Sequence, residues 1–138
     1  MERKIIPVGP FAANCVVLWN GDGACWIVDP GADAADIVAF CAEKKLRPAL
    51  VALTHGHFDH IGGVCLLFND VPLLLSGDTL FAGSCGRTDF PGGSRTALAA
   101  SLRRLAALPP ETVVVPGHGV PTTIAREVAT NPFLHMDF

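Results

Sequence analysis

One short stretch decides the fold of this protein: THGHFDHIGG, residues 54–63. It brings three histidines and an aspartate close together: His55, His57, Asp59 and His60. The first three are spaced by two, so an extended loop can point them in one direction, and His60 joins them if a helical turn begins there. Imidazole and carboxylate together favour zinc, iron or manganese over calcium or magnesium. The stretch therefore predicts a transition-metal site; the alternative is a polar loop that binds no metal.

The sequence on either side of this loop predicts an α/β domain. The apolar run 49–53 has the length and composition of a buried strand that leads into the loop. Upstream, the pattern predicts strands over 4–8 and 14–19, a hairpin turn at 20–23 and a helix with Asp33 at its N-cap. Downstream come apolar runs at 64–68 and 71–75, an ordered glycine-rich loop over 82–93, a helix capped by Ser94, a strand over 112–115 and a short helix over 122–129.

Two more candidate ligands follow predicted strands. Asp78 comes just after the run 71–75, and His118 follows the strand 112–115 between Gly117 and Gly119. In α/β sheets, ligands gather at the carboxyl ends of the strands, so we expect these two loops to converge with the histidine loop.

Composition narrows the class of protein. The length of 138 residues indicates one domain, 1–138, large enough to bury a core. A net charge of -3 without a basic block argues against nucleic acid, and no apolar run approaches the ~20 residues that span a membrane. Five scattered cysteines without a C-x-x-C pair indicate reduced, mostly buried thiols and a cytoplasmic protein.

The motifs THGHFDHIGG, SGDTLFAGSCGRTDF and VVVPGHGVPTT resemble successive motifs of the metallo-β-lactamase superfamily. The closest branch is the glyoxalase II-like (hydroxyacylglutathione hydrolase-like) proteins, and the resemblance runs from PVGPFAANC to TNPFL. It implies a four-layer αββα sandwich with a two-metal site along one edge. Zinc is the metal that the resemblance favours, and iron and manganese are the alternatives. On the matching positions, His55 and His57 would bind the first metal, Asp59, His60 and His118 the second, and Asp78 would bridge the two.

The same resemblance implies an activity. A metal-bound hydroxide, oriented by Asp59, would hydrolyse a small-molecule thioester, and a glutathione-linked thioester is one candidate substrate. Two other interpretations stay open: a persulfide dioxygenase, which shares GRTDF and uses one iron at the first site, and a metal-binding protein without turnover. In GRTDF itself, we expect Arg87 and Asp89 to pair and brace the loop rather than contact substrate.

The chain departs from the family in one place. The family has a further metal-site histidine, in a segment like HTPGH, between its first motif and the bridging aspartate, whereas this chain has no histidine from 61 to 117. Gly63 leads almost directly into VCLLF, which resembles the strand after that segment. We therefore predict an internal deletion that removes one ligand of the first metal. The sandwich would be incomplete, with an exposed sheet edge or apolar face that favours a homo-oligomer.

Overall fold

The structure, a computed structural model, describes residues 1–54, 65–68, 70–89 and 93–136. Contacts divide the chain into two compact units, Met1–Leu53 and Thr54–Phe138. The prediction of a single domain over 1–138 stays a prediction. Within the described ranges, no helix is long and apolar enough to cross a membrane.

The first unit is a four-stranded sheet with one helix. Its strands are β1 (Glu2–Val8), β2 (Ala13–Trp19), β3 (Ala24–Val28) and β4 (Arg47–Ala52), in the order β1-β2-β3-β4. The first three pair antiparallel and β4 runs parallel to β3. The connection between β3 and β4 holds α1 (Ala34–Glu43), as a parallel pair requires a crossover. The predicted strands and the hairpin turn at 20–23 are confirmed.

The core of the first unit lies between α1 and the sheet. Alternate residues of β2 and β3 face the helix, so apolar side chains two apart along a strand share the core. Val17 and Ile27 are buried there together with three cysteines, which act as small apolar side chains. The buried residues of this cluster are Val8, Cys15, Val17, Cys25, Ile27, Ile37 and Cys41.

Asp33 occupies the predicted N-cap position of α1, but its side chain does not cap the helix. Its backbone is left-handed, with φ of 52°, and its carboxylate makes no cap hydrogen bond. Instead, Asp33 Oδ2 accepts a hydrogen bond of 2.7 Å from the backbone N–H of Gly9. The tertiary contact to the β1–β2 turn replaces the local one.

The prediction of a buried strand over 49–53 is wrong in one respect. The strand exists as β4, but Leu50, Val51 and Leu53 are 43%, 57% and 63% exposed. β4 is last in the strand order, and within the described ranges no strand pairs with its outer edge. An apolar strand is buried only where neighbouring elements cover it, and sequence pattern alone does not reveal whether they are present.

The second unit has a four-stranded sheet, a small hairpin and two helices. The sheet contains β5 (Leu66–Phe68), β6 (Leu73–Gly77), β9 (Val113–Pro116) and β10 (Thr122–Thr123), in the order β10-β9-β6-β5. β6 and β9 are parallel, and the other two pairs are antiparallel. Two short strands, β7 (Leu80–Phe81) and β8 (Ser84–Cys85), form the hairpin. The helices are α2 (Arg95–Ala106) and α3 (Ile124–Thr130), followed by a 3₁₀ turn, Pro132–Leu134.

Local signals place α2 as the sequence predicts. Ser94 has an extended backbone, and its hydroxyl accepts a hydrogen bond of 3.2 Å from the N–H of Ala97, so it caps the helix. The apolar face of α2 packs against β6 and β9 through Leu102, which is 2% exposed. The buried residues of the cluster around Leu102 are Leu74, Leu80, Leu102, Val114 and Ile124.

Candidate metal site

Two of the six predicted metal ligands lie within the described residues, and the structure brings them together. The Nε2 atom of His118 lies 3.8 Å from the Oδ1 atom of Asp78, and both side chains are partly exposed. The other four, His55, His57, Asp59 and His60, fall in 55–64 and lie outside the described residues. Within the described ranges, no group of three or more His, Cys, Asp or Glu side chains gathers as a metal site would need.

The sheet explains why Asp78 and His118 meet. The last pair in the parallel ladder of β6 and β9 is Gly77 with Pro116, and it follows a register shift between Leu75 and Gly77. The N–H of Gly117 then donates a hydrogen bond of 2.8 Å to the carbonyl of Gly77. Each ligand follows immediately, so both leave neighbouring strands at one edge of the sheet. The predicted convergence of these two strand ends is confirmed.

A glycine makes the approach possible. A Cβ atom at position 117 would lie 2.5 Å from Asp78 Oδ1 and 3.2 Å from the carbonyl carbon of Gly77. Any side chain there would displace the carboxylate or the backbone beside it. The sequence shows Gly117 before His118, but only the structure shows that the space it leaves belongs to Asp78.

The pair fits a transition metal. A separation of 3.8 Å is too long for a hydrogen bond between the two atoms. Two donors that each lie about 2.1 Å from one ion can be no more than about 4.2 Å apart, and the observed separation is within this limit. One imidazole and one carboxylate are also the donor types that zinc, iron and manganese share.

The segment after Asp78 folds back over it. The hydroxyl of Ser76 donates a hydrogen bond of 2.7 Å to the carbonyl of Leu80, and the N–H of Thr79 donates one of 3.0 Å to the carbonyl of Ser76. Gly86 lies against the carbonyl oxygen of Asp78 so closely that a Cβ atom would overlap it. The 82–93 loop is thus partly a hairpin, because residues 82–83 form the turn between β7 and β8 and residues 84–85 are β8 itself. Residues 90–92 are outside the described ranges.

Sequence reasoning passed over a second set of residues around the hairpin. The ring of Phe81 lies beside His118, with centroids 6.4 Å apart and planes at 54°. Glu127 and Asn131, spaced by four on and just after α3, hydrogen-bond to the hairpin from the other side. One sequence signal could have revealed Glu127 and Asn131. Their spacing of four places both on the same face of a short helix, and that face is otherwise apolar.

Arg87 and Asp89 pair as the sequence predicts. Arg87 Nε and Nη2 donate hydrogen bonds of 2.9 Å and 2.8 Å to the two carboxylate oxygens of Asp89. This bidentate contact lowers the pKa of Asp89, first through the hydrogen bond and then through the charge. Both side chains are mostly exposed.

The five cysteines are all free thiols. Burial, with a smaller effect from Asp29 and Cys41, raises the pKa of Cys15 from 9.0 to about 12. Burial also raises the pKa of Cys65 and of Cys85. Cys15, Cys25 and Cys41 are buried and Cys65 and Cys85 are partly buried, which agrees with the prediction of mostly buried thiols.

Comparison with known proteins supports the same family. The Haemophilus influenzae hydroxyacylglutathione hydrolase GloC is 26% identical over 209 aligned positions, which cover 98% of this chain and 99% of that protein. The crystal structure of BLEG-1 B3 metallo-beta-lactamase superposes with a TM-score of 0.90 at 29% identity, covering 96% of this chain and 99% of the other. The structure of TTHA1623 in a di-iron-bound form gives 0.86 at 29% identity, covering 95% and 100%.

The alignment lengths also support the predicted deletion. The alignment with GloC spans 209 positions, 71 more than the 138 residues of this chain, so at least that many positions of the relative have no counterpart here. Nearly all of both chains is covered, so the gap is internal. The pattern of the Metallo-beta-lactamase superfamily matches this chain in two segments, residues 8–68 and 62–118. The two segments overlap at residues 62–68, where Gly63 leads into VCLLF.

The predicted fold class is confirmed as that of the metallo-β-lactamases, with mixed sheets and helices. The matched pattern spans most of the sequence, and it includes both Asp78 and His118. By sequence pattern and by fold, this chain belongs to the metallo-beta-lactamase superfamily, whose members bind metal and are in general hydrolytic enzymes.

Proposed function

We propose that this protein is a metal-dependent hydrolase that cleaves a thioester in the manner of glyoxalase II. The observation that carries the proposal is the convergence of Asp78 and His118 at the ends of two parallel strands. The near full-length similarity to a hydroxyacylglutathione hydrolase supports the thioester, and a glutathione-linked one in particular, as the substrate class.

In this proposal the six candidate ligands divide into two unequal sites. Asp59, His60 and His118 bind one metal together with Asp78, and this set is complete. His55 and His57 bind the other with Asp78, but the histidine that the family adds from the missing segment is absent. We therefore expect the site that contains His118 to hold its metal more tightly, because it keeps one more protein ligand.

Each residue has a defined task. A divalent metal bound there would lower the pKa of its water to about 7 and would polarise the carbonyl group of the thioester. Asp78 contributes negative charge between the two sites, and the neutral imidazole of His118 contributes a nitrogen lone pair. Asp59 orients the attacking water through a hydrogen bond, so it is the proposed catalytic residue. Gly117 keeps the space beside Asp78 open.

The metal is zinc in the leading form of the proposal. The donor set also suits iron and manganese, and TTHA1623 has been crystallised with two irons. A persulfide dioxygenase would place its single iron at the depleted site, which makes that activity the weaker candidate. Metal binding without turnover is the second candidate, because the relative has at least 71 positions that this chain lacks.

Two further features complete the proposal. The exposed apolar side chains of β4 favour association of this chain with a second copy. Among the described residues no strand pairs with the outer edge of β4, and such an edge pairs readily with another strand. Five free thiols, three of them buried, support the cytoplasm as its location.

The decisive experiment combines metal analysis with an activity assay. The purified protein should contain one or two equivalents of zinc, iron or manganese and should hydrolyse S-lactoylglutathione. His118→Ala should abolish hydrolysis and release metal, while His135→Ala, at an exposed histidine outside the site, should change neither. Metal content without hydrolysis in the unmodified protein would favour the non-catalytic candidate. A purified protein that contains no metal, binds none when it is added and shows no hydrolysis would contradict the proposal altogether.

A further inference from the structure

Glu127 is a fully buried carboxylate that belongs to no predicted site. It lies on α3 with 0% of its surface exposed. Oε1 accepts a hydrogen bond of 2.6 Å from the hydroxyl of Thr122, and Oε2 accepts two of 2.8 Å, from the N–H of Gly83 and the amide of Asn131. Burying a carboxylate is costly unless donors surround it. Three donors meet that requirement here, and one of them belongs to the β7–β8 turn.

Asn131 extends the connection to the same turn. Besides the bond to Glu127, its Nδ2 donates to the carbonyl of Ser84 at 3.0 Å and lies 3.4 Å from the carbonyl of Phe81. An amide nitrogen has two hydrogens, so the two short bonds use both and the longer contact is shared. The polar backbone groups of the turn at 81, 83 and 84 thus face side chains from the end of α3.

The β7–β8 hairpin in turn contacts both described metal ligands. The ring of Phe81 lies beside the imidazole of His118, at a centroid separation of 6.4 Å. At the other end, Gly86 lies against the carbonyl of Asp78, and its N–H donates a hydrogen bond of 3.2 Å to the carbonyl of Thr79. Movement of the hairpin would therefore shift both ligands together.

We propose that Glu127 and Asn131 are positioning residues, which hold the β7–β8 hairpin and through it fix Asp78 and His118 for metal binding. The inference rests on the proposed metal site. Apolar side chains such as Leu80 and Ile124 already stabilise this part of the unit. A buried polar network adds what apolar packing lacks, because its directional bonds select a single arrangement of the hairpin. Metal ligands need such a fixed arrangement, and their supporting hydrogen bonds tune affinity strongly.

The test is the affinity for Co²⁺, a spectroscopic substitute for zinc, in Glu127→Gln. The substitution keeps the shape but replaces one acceptor oxygen with an NH₂ group that faces a donor. We expect Co²⁺ to bind about 10-fold more weakly, with an altered visible absorption spectrum. Ser94→Ala, which removes the N-cap of α2 in the same unit, should lower the melting temperature but leave Co²⁺ affinity and spectrum unchanged.

Thr122 provides a second, milder pair of variants if Glu127→Gln does not fold. Thr122→Val removes one hydrogen bond to Glu127, and Thr122→Ser restores the hydroxyl. Weaker Co²⁺ binding in the first and recovery in the second support the inference. If the unmodified protein binds Co²⁺ and both Glu127→Gln and Thr122→Val bind it equally well, the positioning role is wrong while the proposed function stands. If the unmodified protein binds no Co²⁺, both are wrong.

Discussion

Gly117 and Asp78 share one small space: a Cβ atom at position 117 would lie 2.5 Å from the Oδ1 atom of the aspartate. The contact joins the ends of β6 and β9, which are far apart in sequence and adjacent in the sheet. The position of the proposed bridging carboxylate therefore depends on the absence of a side chain on the neighbouring strand.

This relationship gives the first prediction. Gly117→Ala should weaken metal binding roughly 10- to 100-fold, because the added methyl group must push the Asp78 carboxylate or the Gly77 backbone aside. Titration with Zn²⁺ in the presence of a competing chelator measures the change. Gly21→Ala is the matched control, since a Cβ atom there meets nothing within 4 Å. Equal affinities in the two variants would show that Asp78 does not need this space.

The second prediction concerns alkaline pH. The pKa of the Cys15 thiol is 9.0 in the unfolded chain, and burial raises it to about 12 in the folded protein. Its contribution to stability is therefore complete below pH 9.0 and is lost as the pH rises toward about 12, since the unfolded state releases its proton first. The slope for one such thiol is about 1.4 kcal/mol per pH unit.

Urea unfolding across this pH range tests the second prediction. Cys15→Ala should make the decline in the free energy of unfolding less steep. It should not remove the decline, because burial also raises the pKa of Cys25 to about 11. The same decline in the variant and in the unmodified protein would mean that Cys15 is not the group responsible.

The third prediction concerns the outer edge of β4. Val51→Lys should reduce self-association, because a charged side chain on an edge strand opposes pairing with another edge. Sedimentation velocity at several protein concentrations measures the effect. Val38→Lys is the matched control, as Val38 is also an exposed valine but lies on α1. If both variants reduce association equally, general hydrophobicity rather than the strand edge is the cause.

The fourth prediction concerns Arg87 and Asp89. Asp89→Asn should leave the melting temperature unchanged at moderate salt, because exposed ion pairs contribute little to stability and are screened by ions. A thermal melt beside that of Asp70→Asn, at another exposed aspartate, provides the comparison. A clearly lower melting temperature for Asp89→Asn alone would show that the pair braces more of the fold than its own loop.

The sequence by itself determined the local elements and the family. The hairpin turn at 20–23 and the cap at Ser94 depend on residues close together in the chain, and both are confirmed. Asp78 and His118 follow strands as predicted and lie together, while their role as metal ligands stays a prediction. Motif order also predicted the internal gap near 62–68, since a missing histidine leaves a visible break in a known pattern.

Only the tertiary structure decided that the apolar side chains of β4 are exposed, which group Asp33 bonds to and which groups surround Glu127. Whether an apolar strand is buried depends on elements that lie elsewhere in the chain, and Leu50, Val51 and Leu53 of this region are exposed. Asp33 bonds to Gly9 and Glu127 bonds to Gly83, and neither partner is near in sequence. Local pattern records which groups can donate and accept hydrogen bonds, but only the folded chain determines which of them meet.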